Sequence, residues 1–80
     1  MKEDTVSKKL GYRGYLIQPS SFKMLEEKYW RARCFIMRPD ANGNLLAQEF
    51  TITDRLLRSE QEADLHAIEW AKVRIDIVAG

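Results

Sequence analysis

Residues 30–38 read Trp-Arg-Ala-Arg-Cys-Phe-Ile-Met-Arg, and this run constrains the fold more than any other. Side chains along a β-strand point alternately to opposite faces. Trp30, Ala32, Cys34 and Ile36 therefore share one side, and Arg31, Arg33, Phe35 and Met37 share the other. A strand with guanidinium groups on one face buries only its second face, as in an antiparallel sheet covered on one side. The even-numbered set is read as core, and the arginines as the back of the strand.

Two more strands are expected beside it. Leu10 to Gln18 is rich in Tyr, Leu and Ile and stops at Pro19; the central strand, Tyr29 to Arg38, stops at Pro39; Asn44 to Thr53 forms the third. Asp40-Ala41-Asn42-Gly43 reads as the turn before the third strand, with a glycine free to take positive φ. In that strand Leu46, Phe50 and Ile52 share a face with Gln48, while Leu45, Ala47, Glu49 and Thr51 share the other. Both inner sets reach the same side only if paired residue numbers have an even sum. Trp30 with Ile52, Ala32 with Phe50 and Ile36 with Leu46 is one such register, and it sets Arg33 opposite Glu49. An odd loop or a bulge is then required, with Gly43 absorbing it. Residues 19–28 read as mostly loop, with Phe22 or Leu25 folding back over a core edge.

The C-terminal third reads as a helix. Ser59 followed by Glu62 is a capping-box pattern, and Glu60, Glu62 and Asp64 place negative charge near the positive end of the helix dipole. At helical spacing Ala63, Ala67, Trp70, Ala71, Ile77 and Val78 gather on one side, with Ile68 and Ile75 at its margin. The three alanines at spacing four form a flat strip that lets the helix lie close to a sheet. Arg74 falls on the same side, its stem reaching past the last apolar contacts. The expected class is α+β: a three-stranded antiparallel β-meander with one C-terminal helix packed on one face, in the order β-β-β-α. Residues 10–80 form this single domain, and residues 1–9 a loose N-terminal tail.

Composition narrows the function classes. The net charge is +1, which demands no polyanionic partner. The halves differ: residues 1–40 hold nine Lys/Arg against five Asp/Glu, and residues 41–80 four against seven. Complementary charge meeting inside one small fold accounts for that. A lone cysteine, Cys34, forms no internal disulfide, no apolar segment follows the charged N-terminus, and no apolar run approaches a membrane span. The expectation is a cytoplasmic protein without membrane contact.

Candidate chemistry is sparse. Cys34 and His66 are the only pair with nucleophile-and-base character, but Cys34 belongs to the inward set, where cysteine acts as a small hydrophobe. One His and one Cys make no zinc set. Asp40-Ala41-Asn42-Gly43-Asn44 lacks the glycine position and closing glutamate of a calcium loop. Gly11 and Gly14 precede no helix and so make no phosphate loop. No catalytic residue, cofactor or metal is expected. His66 is placed on the helix flank, between Glu62 and Trp70.

One helix covers one side of such a sheet, leaving the other open. Tyr12, Arg31, Arg33, Phe35, Met37 and Leu45 are the candidate contact residues there, Tyr12 on condition that the first strand turns that way. The expected function is a non-enzymatic binding or regulatory module whose partner is another protein or a second copy in a homodimer. The alternative is a weak single-stranded nucleic-acid binder, since aromatic rings beside arginine on an open sheet stack bases in several RNA-binding modules.

The ordered set Tyr12-Arg13-Gly14-Tyr15, Trp30-Arg31-Ala32, the Asn42-Gly43 turn, Ser59-Glu60-Gln61-Glu62-Ala63 and Ile75-Asp76 resembles a family of short single-domain bacterial proteins of unknown function with β-β-β-α order. It is distantly similar to HicB-type antitoxin domains. The proline-glycine-cysteine segment of those domains is missing, Arg38-Pro39-Asp40 being a weak echo. The resemblance implies a bacterial cytoplasmic setting and brings no catalytic residues.

Overall fold

The structure, a computed structural model, describes residues 9–79. The expected N-terminal tail lies outside the described residues except for Lys9. Five elements follow in order: β1 (Leu10–Tyr12), β2 (Tyr15–Pro19), β3 (Trp30–Pro39), β4 (Leu45–Leu57) and α1 (Glu60–Ala79). The strands form one antiparallel sheet in the order β1-β2-β3-β4. The class is α+β with one C-terminal helix, but the sheet has four strands rather than three.

The extra strand comes from a turn inside what reads as one continuous strand. Arg13 and Gly14 both take positive φ, 52° and 84°, and Tyr12 pairs directly with Tyr15. Two successive positive values define the tight hairpin turn whose twist suits antiparallel strands. Glycine adopts that backbone without strain, whereas arginine does so rarely. Arg-Gly therefore lacks the Asn-Gly or Asp-Gly signature that marks such turns in sequence.

Strand β3 is central to the core as its alternation requires. Ala32 and Cys34 are fully buried, and Trp30 and Ile36 pack partly buried against the same cluster. Pairing with β4 has the expected even sum, moved by two residues: Ala32 faces Ile52, Cys34 faces Phe50 and Ile36 faces Gln48. Arg33 therefore lies opposite Thr51, and Phe35 opposite Glu49. Asp40 sets this register. Its backbone N–H donates to the Asn44 carbonyl at 2.7 Å, and its carboxylate accepts from the N–H groups of Asn42 and Asn44 at 2.8 and 2.9 Å. The odd loop 40–44 closes on Gly43 at φ 86°, and Pro39 meets Leu45. A second irregularity lies between Trp30 and Ala32, where Trp30 pairs with Leu57. Residues 53–56 of β4 bulge opposite Arg31, and Leu57 returns to the core at 7% exposure.

Between β2 and β3 the chain is mostly loop, as expected. Phe22 makes an isolated bridge with Arg31 and is half-buried, whereas Leu25 is fully exposed and folds over nothing. Helix α1 starts as its sequence signals. The Glu62 N–H donates to Ser59 Oγ at 3.1 Å, and the Glu62 carboxylate accepts from the Arg58 N–H at 3.2 Å, closing both halves of a capping box one residue wide of the standard form.

Ala63, Ala67, Ala71 and Ile75 are buried at 0–1% exposure. They cover Ile17, Ala32, Cys34 and Ile52 in one cluster. Expected burial of Ile77 and Val78 does not occur; they are 78% and 67% exposed. Successive residues four apart rotate by about 40° around a helix, so the row 63-67-71-75 winds around α1 as the helix crosses the twisted sheet. The face occupied by Ile77 at the last turn has by then rotated away from the strands. Asp64, expected only as a dipole partner, is also turned inward, 8% exposed, where it accepts from the Ser21 backbone N–H at 3.1 Å. That bond ties the start of the β2–β3 connection to the helix.

Candidate contact surface

Helix α1 packs on β2, β3 and β4 from one side, and the Cα envelope measures only 42 × 34 × 16 Å. That thickness holds one sheet and one helix layer. Among the described residues no element is layered on the opposite face. Because directly paired residues share a face, its side chains follow from the register: Leu16 and Gln18 from β2, Arg33, Phe35 and Met37 from β3, and Leu45, Ala47, Glu49 and Thr51 from β4. Phe22 joins them through its bridge to Arg31.

Four of the six expected contact residues form this face directly. Met37 lies between Leu16 and Ala47 and is buried, 7% exposed; Phe35 lies between Gln18 and Glu49 and is half-buried; Leu45 is exposed opposite Pro39. The apolar part is thus a shallow seam bordered by polar side chains. Arg33 belongs to it but is held in place. Its Nε donates to the Ser20 carbonyl at 2.9 Å, Nη2 approaches Ser20 Oγ at 3.3 Å, Nη1 lies 3.8 Å from Glu49, and the guanidinium sits 4.8 Å over the Phe22 ring. The expected Arg33–Glu49 pairing is present diagonally rather than directly across.

Arg31 stands at the margin, clasped by Glu27 through two bonds, Nε to Oε1 at 3.2 Å and Nη2 to Oε2 at 2.8 Å. The hydrogen bonds from Arg31 hold the Glu27 carboxyl below its ordinary range, and Glu27 correspondingly raises Arg31. Both expected basic residues are therefore engaged within the chain.

Tyr12 is not part of this face. Its register partner Tyr15 lies on the helix side, and its hydroxyl donates to the Asp76 carboxylate at 2.9 and 3.1 Å. Arg13 Nη1 meets the same carboxylate at 2.9 Å, and the Lys72 ammonium lies 5.5 Å from the Tyr12 ring. The hairpin turn reverses the strand between Tyr12 and Leu16, so the two fall on opposite sides.

Cys34 is fully buried in the core, and burial pushes its thiol up to about 11. His66 lies on α1 between Glu62 and Trp70 as expected, and its Nε2 meets Asp54 Oδ1 at 2.9 Å, on the β4 bulge. Among the described residues no group of three His, Cys, Asp or Glu side chains is arranged to hold a metal. No described helix is long and apolar enough to cross a membrane.

The helix side also carries a feature with no counterpart in the strand pattern. Beyond Ile75, Asp76 still holds α1 to the β1–β2 hairpin, but on the β3–β4 side a cavity of about 430 Å³ lies between Ile77 and Val78 above and Ile36 and Phe50 below. Only the combination of the helix path with the β3–β4 length creates it. No family model, curated protein or solved structure matches the chain.

Proposed function

We propose that the chain is a non-enzymatic protein-contact module that self-associates through the uncovered sheet face. The observation carrying this reading is the pairing of charge on that face. Arg33 is paired with Glu49 and Arg31 with Glu27, so the half-buried Leu16 and Phe35, with exposed Leu45, present a near-neutral apolar strip with a polar rim. Such a strip suits the two-fold contact of a homodimer, in which the same patch meets itself. A polyanion would have to compete with the carboxylates already holding the arginines. Burial of Cys34, whose neutral thiol is a poor nucleophile, supports a role without covalent chemistry.

The alternative of single-stranded nucleic-acid binding draws on Phe22 and Phe35 sharing the face with Arg33. Sedimentation velocity across a range of concentrations tests the first reading: a dimer is expected, and Phe35→Glu should return it to monomer by placing charge in the seam. A wild-type chain that stays monomeric at every concentration defeats self-association. Salt-dependent binding of a labelled oligonucleotide, abolished by Arg33→Ala, would establish the alternative instead.

A further inference from the structure

We propose that the cavity beneath the end of α1 is a binding site for a small amphipathic carboxylate, a compound with an acyl or aromatic body and one anionic end. Its volume of about 430 Å³ falls among small-molecule sites, which span roughly 300–1,000 Å³. A second hollow of about 250 Å³ shares Tyr15, Ile36, Arg38 and Gln48 with it and runs on to Leu46, so the two form one trough along the β3–β4 hairpin. The apolar walls are Ile36, Phe50, Ile77 and Val78. The last two are the most exposed aliphatic side chains of the helix, and a buried acyl or aromatic group would remove that apolar surface from water.

Charge selects the polar end. Arg38 and Arg74 both line the cavity, and among the described residues neither meets a carboxylate, in contrast to Arg13, Arg31 and Arg33. Arg74 is held by ring faces instead, its guanidinium 5.1 Å from the Phe50 centroid and 5.4 Å from that of Trp70. Stacking of this kind fixes the plane of the guanidinium while leaving its N–H edges for an acceptor. Two arginines with open donors above an apolar floor complement a carboxylate joined to a hydrocarbon. The ligand's apolar body then lies along Ile77 and Val78.

Titration with decanoate, followed by tryptophan fluorescence and calorimetry, tests the site. Trp70 packs on Phe50 at 5.2 Å between centroids, so occupancy should change its emission. Saturable one-to-one binding is expected, weakened about tenfold or more by the double substitution R38A/R74A, with decanol binding no better to the wild type than to that variant. Ile77→Asp, at an exposed position that leaves the core intact, should abolish binding of both. Phe35→Glu should leave it unchanged, which separates this site from the sheet face. Equal affinity for decanol and decanoate, decanoate binding indifferent to the arginine substitutions, or no saturable binding would each overturn the proposal.

Discussion

Arg13 and Tyr12 join the sheet edge to the helix through one side chain, Asp76. The hydrogen bonds from Arg13 and then Tyr12 hold the Asp76 carboxyl below its ordinary value, while the bond to Asp76, helped by burial, raises the Tyr12 phenol above 10.0. The two shifts bound a pH window. A lowered carboxylate contributes stability above its unfolded value and loses it as pH falls through the folded one. A raised phenol contributes below its unfolded value and loses it as pH rises through the folded one. Asp76→Asn should therefore bring Tyr12 ionisation back towards 10.0, read as the phenolate absorbance difference between chains with and without Tyr12→Phe. An unchanged alkaline titration would show that the contact does not persist in solution. The residues of this cluster were visible in the sequence, but their meeting was not, because sixty-four positions separate Tyr12 from Asp76.

Along α1 the alanine strip was legible from spacing alone, since Ala63, Ala67 and Ala71 lie on one face under any helical assignment. The last buried residue was not. A fixed stripe drawn on an isolated helix favours Ile77 and Val78, whereas contact with a twisted sheet follows the winding row to Ile75. Truncation distinguishes the two. Ile75→Ala should cost about 2–5 kcal/mol of unfolding free energy, as for other fully buried aliphatic side chains, and Ile77→Ala should stay within about 0.5 kcal/mol of the parent. Urea denaturation followed by circular dichroism gives both values. Similar losses at the two positions would mean that the helix end lies flat on the strands and that the cavity beneath it is closed.

Across the whole molecule the lone thiol reports cooperativity. Cys34 sits at 0% exposure beneath the alanine strip, in contact with the cluster that joins helix and sheet. Its thiol is raised to about 11 by burial, so little thiolate is present near neutrality. In a domain this thin, local opening that exposes the central strand amounts to loss of the fold. Labelling by a thiol reagent at neutral pH should therefore be slow and should accelerate with urea at the slope of global unfolding. Fast labelling in the absence of urea, with circular dichroism unchanged, would reveal an opening of the helix from the sheet that leaves secondary structure intact.

Local chemistry by itself determined the inward set of β3, the Ser59 cap, the glycine-bearing odd loop and the even parity of the β3–β4 pairing, because each depends on alternation, spacing or the stereochemistry of a few adjacent residues. Only tertiary structure decided that residues 10–18 fold back into two strands, that the register moves by two, that Tyr12 turns to the helix, and that Ile77 and Val78 stay exposed at the end of α1. Those outcomes depend on how far a winding helix stays in contact with a twisted surface and on which distant donors reach a carboxylate. Such distances between remote segments are set by the assembled layers, and no short window of residues contains them.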